Sequence, residues 1–128
     1  MQQVEYQAYV EPVINLSGIT DGDLAVMLGN LIDNALEAAV KCEEEKRKVS
    51  LWVYMEKEGN ICVVKVVNNY VEPCVRYKDQ FISTKKHHWK HGIGVKSVGN
   101  TAQKYGGHLR CLTEDGKFTA ILILPVNK

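Results

Sequence analysis

The feature that most constrains this chain is a one-sided apolar stripe. Leu24, Leu28, Leu31, Ile32, Ala35, Leu36 and Ala39 recur at helical spacing, so one face of a helix beginning near Asp23 must be buried. Thr20 or Asp21 supplies its N-cap, and the charged run KCEEEKRK (41–48) reads as its solvated end. Such a helix needs a second layer, which the flanking sequence offers. Residues 4–10, VEYQAYV, alternate as a strand does, and Pro12 ends the run. Residues 49–69, VSLWVYMEKEGNICVVKVVNN, read as a hairpin with its turn near Gly59 and Asn60. A second helix is expected from Ile93 to about Tyr105, stopped by the glycines of YGG, and residues 108–125 form another hairpin with EDGK as the tight turn. Hairpins grouped with helices predict an α+β sandwich, one sheet covered by helices.

The 128 residues suit one compact domain, expected to be a monomer. Sixteen basic and fifteen acidic side chains nearly cancel, which argues against nucleic acid as a partner. No apolar run reaches the roughly 20 residues that span a bilayer, so this domain is not expected to be membrane-inserted. The start, MQQVEYQAYV, is too polar for a secretion signal. Cys42, Cys62, Cys74 and Cys111 form no C-x-x-C pair and read as buried thiols of a reducing, cytoplasmic compartment.

Three places could carry chemistry. In LGNLIDNALEAA (28–39), Asn30 and Asn34 stand one turn apart in a helix interior that asparagine does not favour. With Asp33 and Glu37 they make a polar stripe expected opposite the apolar one. Either it faces water, or its amide oxygens face a ligand such as magnesium beside a polyphosphate. In HGIGVKSV (91–98), Gly92 and Gly94 precede a helix, where backbone N–H groups and the helix dipole favour an anion; a simple turn gives the same letters. Residues 70–91 hold no clean period, a length of loop that suggests a lid. There Lys85 and Lys86, with Lys90, either meet phosphates or are simply solvated. His87 and His91 are four apart, but no third zinc ligand stands at a persuasive spacing.

The order of these features resembles the ATP-binding catalytic domain of sensor histidine kinases, in the Bergerat-fold superfamily of gyrase, Hsp90, MutL and these kinases. NLIDNALEAA is similar to the N box, HGIGVKSV to the second glycine box and GKFTAILILP to the closing strand; the likeness spans about residues 4–126. STKK, KYGG and DNALEA together look most like receptor kinases that sense peptide pheromones in Gram-positive bacteria.

The resemblance implies a mixed sheet covered by helices on one face, with a mobile lid loop at about 70–91. It implies ATP and magnesium as cofactors, with Asn34 a magnesium ligand and Asn30, one turn earlier, a second ligand facing the phosphates. ATP-hydrolysing members carry a glutamate base at that earlier position; Asn30 has no useful basicity, which points to transfer instead of hydrolysis. Gly92 and Gly94 would bind the β/γ oxygens, while Lys85 or Lys86 would neutralise developing charge. Asn30 and Lys85 are thus the candidates at the transfer step.

The sequence departs from the superfamily at the adenine end, where VVNNYVEP replaces the D-x-G-x-G box. Asn68 is the candidate adenine reader, unless Asn68 and Asn69 merely turn the chain after a strand. The expected partners are the phosphoacceptor histidine helices of the same kinase and a response regulator, the whole being a membrane-bound receptor kinase. Two rivals remain: an ATPase, which would release phosphate unaided, and a degenerate interaction module, in which Asn34→Ala would change nothing.

Overall fold

The computed structural model describes residues 3–71 and 95–126. Five strands form one sheet: β1 (Glu5–Val10), β2 (Lys48–Glu56), β3 (Ile61–Asn69), β4 (His108–Glu114) and β5 (Lys117–Pro125). Their spatial order is β1-β2-β3-β5-β4, with β1 parallel to β2 and every other pair antiparallel. Helix α1 (Asp21–Ala39) and the helical residues 95–103, here α2, supply the second layer. The α+β sandwich with a mixed sheet is therefore present. Most of the expected lid, residues 72–91, lies outside the described residues.

One core joins the layers. Met27, Leu31, Ala35 and Ala39 of α1 and Val98 and Ala102 of α2 meet Cys62, Val64 and Val66 of β3 and Ala120, Leu122 and Leu124 of β5. The strand residues alternate at period two, so they present one face of the sheet to the helices.

Both hairpin turns are set by left-handed backbone. Lys57, Glu58 and Gly59 have positive φ between β2 and β3, and Asp115-Gly116 (φ 50° and 76°) closes β4–β5 as a two-residue turn. At the end of α2, Gly106 takes φ 79°, Gly106 N–H donates to Gln103 and Gly107 N–H donates to Ala102, a Schellman arrangement. Gly107 has a second constraint: a Cβ there would lie 2.2 Å from the carbonyl oxygen of Ile123.

The charged run is a correction. α1 stops at Ala39, and the run instead forms a turn with a short 3-10 segment, Glu44–Lys46. The N–H of Cys42 bonds to the Ala39 carbonyl at 3.0 Å and Arg47 Nε donates back to the Cys42 carbonyl at 3.0 Å. The chain must turn here because β2 starts alongside β1, beneath the helix it has just left.

Candidate functional site

Thr20 caps α1: its Oγ1 accepts the Asp23 N–H at 3.1 Å. Seven and eleven residues on from Asp23, two and three turns of helix, stand Asn30 and Asn34; helical geometry puts all three within about 20° of one line. Both asparagines are half-buried, next to the core residues Leu31 and Ala35, whereas Asp33 and Glu37 are exposed. The four-residue polar stripe expected opposite the apolar face is thus divided. The amides flank the core, while the two acids line a shallow cleft shared with Val4 and Tyr6 of the first strand segment. The division has a simple cause: a rotation of about 100° per residue carries Asp33 away from its neighbour Asn34.

Asn68 is the one buried polar side chain among the described residues, 2% exposed. Its parity with Cys62, Val64 and Val66 places it on the helix-facing side of β3. In register it lies between Val49 of β2 and Phe118 of β5, both buried, so the amide is walled by apolar neighbours. Asn68 Nδ2 donates to the Asn69 carbonyl at 2.9 Å. Asn69 takes the opposite face and donates through Nδ2 to the Lys46 carbonyl at 2.8 Å. The two residues of VVNN are therefore distinct in role: Asn69 ties down the turn before β2, and Asn68 points into the layer between sheet and helices.

Lys85, Lys86, Gly92 and Gly94 lie outside the described residues, as do His87 and His91. Among the described residues no three potential metal ligands of the His, Cys, Asp and Glu type gather. The donor set that does fit a hard cation is the amide pair: neutral oxygens one turn apart, half-buried beside the core, suit magnesium shared with phosphate oxygens. Cys42 and Cys62 are buried free thiols; burial pushes Cys62 up to about 11 and also raises Cys42, so neither is poised as a nucleophile.

A polar cluster that sequence reasoning missed joins the two helices. Tyr105, just past α2, donates its hydroxyl to Asp23 Oδ2, and Lys104 Nζ approaches the same oxygen at 2.9 Å. The Tyr105 hydroxyl bond, followed by the Lys104 bond, holds the Asp23 carboxyl below its ordinary value. The letters TDGD and KYGG carry these residues, but no local pattern announces a pairing across 82 positions.

Comparison with known proteins accords with this arrangement. Residues 20–125 match the GHKL domain family. The chain belongs to that family. Sensor histidine kinase DpiB of Escherichia coli (strain K12) is 30% identical to the GHKL domain over 95 residues, 70% of this chain and 17% of that protein. This chain therefore spans about a sixth of its curated relative. Among solved structures, the nucleotide-free catalytic domain of histidine kinase ThkA superposes with a TM-score of 0.66 at 19% identity, covering 95% of this chain and 79% of that one. Acinetobacter baumannii histidine kinase AdeS gives 0.65 at 13% identity, covering 98% and 55%. The fold of the GHKL domain is that of histidine kinase catalytic domains. No helix among its described residues is long and apolar enough to cross a membrane.

Proposed function

We propose that this GHKL domain binds magnesium-ATP between α1 and the end of β3 and presents the γ-phosphate to a histidine on a separate dimerisation domain. The observation that carries the reading is the placement of its asparagines. Asn30 and Asn34 sit half-buried on α1, and Asn68 is buried on the helix-facing side of the sheet between Val49 and Phe118. Amides beside a core are costly unless something uses them.

Each residue then has a task. Asn68 meets the adenine edge, accepting from the exocyclic amine and donating to the adjacent ring nitrogen. As a neutral group it binds less strongly than the carboxylate of the missing D-x-G-x-G box would. Asn34, helped by Asn30, would hold the magnesium, which when bound supplies neutralisation of phosphate charge. Asn30 has no basicity with which to activate water, so ATP is kept for transfer. Gly92 and Gly94, as phosphate binders, and Lys85 and Lys86, as charge neutralisers, keep the roles that the motif resemblance gives them. Asn30 and Lys85 act at the transfer step.

The chain is then the single, monomeric catalytic domain of a cytoplasmic kinase region, attached in the whole receptor to a membrane sensor. It works with phosphoacceptor helices and a response regulator in peptide-sensing, quorum-type signalling.

Calorimetric titration with ATP, with and without magnesium, tests the core of this. Magnesium-dependent binding should weaken about tenfold or more in Asn34→Ala, the loss of one charge-assisted contact. Absence of binding at millimolar ATP would instead indicate an interaction module, and steady phosphate release by the isolated domain would indicate an ATPase.

A further inference from the structure

The start of α1 carries a capping arrangement with a foreign group inserted in it. Thr20 is the N-cap and Asp23 is three residues on, the spacing at which an acid ordinarily reaches back to the N–H of the capping residue. Here it does not. Thr20 N–H instead lies 3.4 Å from the Tyr105 hydroxyl oxygen, which accepts it, and that hydroxyl donates onward to Asp23 Oδ2. Tyr105 thus occupies the middle of the cap of another helix. Lys104, largely exposed, adds an ion pair to the same, mostly covered, carboxylate.

We infer that Tyr105, acting through Asp23 and Thr20, is a positioning residue: it locks the end of α2 to the start of α1 and so fixes the α1 line that bears Asn30 and Asn34. The inference rests on the nucleotide reading for its functional consequence, though not for its geometry. α1 is anchored near its middle by Met27 and Leu31 and α2 by Val98 and Ala102, all within the core. Apolar packing of that kind resists separation but permits small sliding and rotation, which directed hydrogen bonds do not. The clasp lies two turns from Asn30, about 10 Å along the helix. A rotation at the cap is therefore carried directly to the amides.

Removal of the hydroxyl separates this role from a merely structural one. In Tyr105→Phe, Asp23 is free to close on Thr20 N–H in the ordinary way, so the helix keeps its cap and the fold keeps most of its stability. What is lost is the hydroxyl link between the helices, leaving only the largely exposed Lys104 ion pair to Asp23. Hydrogen exchange should therefore accelerate locally at α1 amides from about 24 to 31, with the urea midpoint nearly unchanged, and ATP affinity should fall roughly five- to tenfold. In a cycle with Asp23→Ala the two losses of affinity should be strongly non-additive, since both variants break one link.

Unchanged local exchange in Tyr105→Phe overturns the clasp. So does a uniform acceleration with a lower midpoint, which would mark plain destabilisation. If local exchange rises while the unaltered protein binds no ATP, the clasp stands and the nucleotide reading fails. If exchange rises and ATP affinity is unaltered, the clasp does not position the site.

Discussion

Along β3, Cys62, Val64, Val66 and Asn68 face the helices while Val63, Lys65, Val67 and Asn69 face away, so one strand serves two surfaces of different character. The helix-covered face is apolar, with Leu122 and Leu124 of β5 fully buried, and among the described residues it carries a single buried polar side chain, at its end. Among the described residues, the outer face is built from side chains that cover one another without a second layer. Tyr9 stacks on Trp52 with ring centroids 4.3 Å apart, and Lys65 Nζ stands 5.6 Å from the Trp52 ring centre. These three are register neighbours on β1, β2 and β3. The contrast separates two uses of the same strands. Stability is concentrated on the covered face, and because polar groups are expensive there, the exception at Asn68 is what supports the nucleotide-binding role proposed for it.

The largest expected effect follows from the covered face. Leu122→Ala should lower unfolding free energy by about 3 kcal/mol, because a fully buried leucine loses its transfer energy and leaves a cavity. On the outer face Trp52→Ala should cost only about 1 kcal/mol, the worth of an exposed aromatic stack and a cation–π contact. ATP affinity should not change in that variant. Urea denaturation of both variants checks the pair: equal losses would mean that the outer face is a second core, and the contrast would collapse.

Much of this was legible in the sequence because its signals are local. Period-two alternation marked β1, β-rich runs around turn residues marked the β2–β3 and β4–β5 hairpins, the helical stripe marked α1, and Asp115-Gly116 and Gly106 marked their turns through backbone conformations that few residues adopt. The charged run was misread because charges at helical spacing are compatible with a helix end, and only the need to enter β2 beside β1 cuts α1 at Ala39. Asn30 and Asn34 could be singled out as amides in a helix interior, and Asn68 through the family resemblance at the adenine end. Which of Asn68 and Asn69 faces the helices required the register. The second demand on Gly107, contact with the Ile123 carbonyl, required the neighbouring strand. The Asp23–Tyr105 pair is the extreme case, since its partners are remote in sequence and ordinary as residue types.

The smallest expected effect sharpens the contrast by locating a polar contribution outside both faces, at the helix ends. The native carboxyl of Asp23 is held below its ordinary value of 3.8, first by the Tyr105 hydroxyl and then by Lys104. A depressed native value means that the unfolded chain takes up the proton first as pH falls. The contribution of Asp23 is therefore fully present above about pH 5 and is lost as pH drops through the lowered native value. Lys104 is shifted the other way, above 10.5, chiefly by its bond to Asp23. Its contribution is present through neutral pH and is lost as pH rises past its native value. Urea midpoints of the unaltered protein and Asp23→Asn should thus differ slightly at about pH 7 and converge as pH falls below 3.8 and through the lowered native value. Because Lys104 is largely exposed and Asp23 keeps part of its surface in water, solvent screens their pair, so the gap should be far below that for Leu122→Ala and should narrow further in salt. A gap that widens on acidification would mean that the carboxyl is destabilised in the folded chain, and the cap built through Tyr105 would then be the wrong account of why these two helices meet.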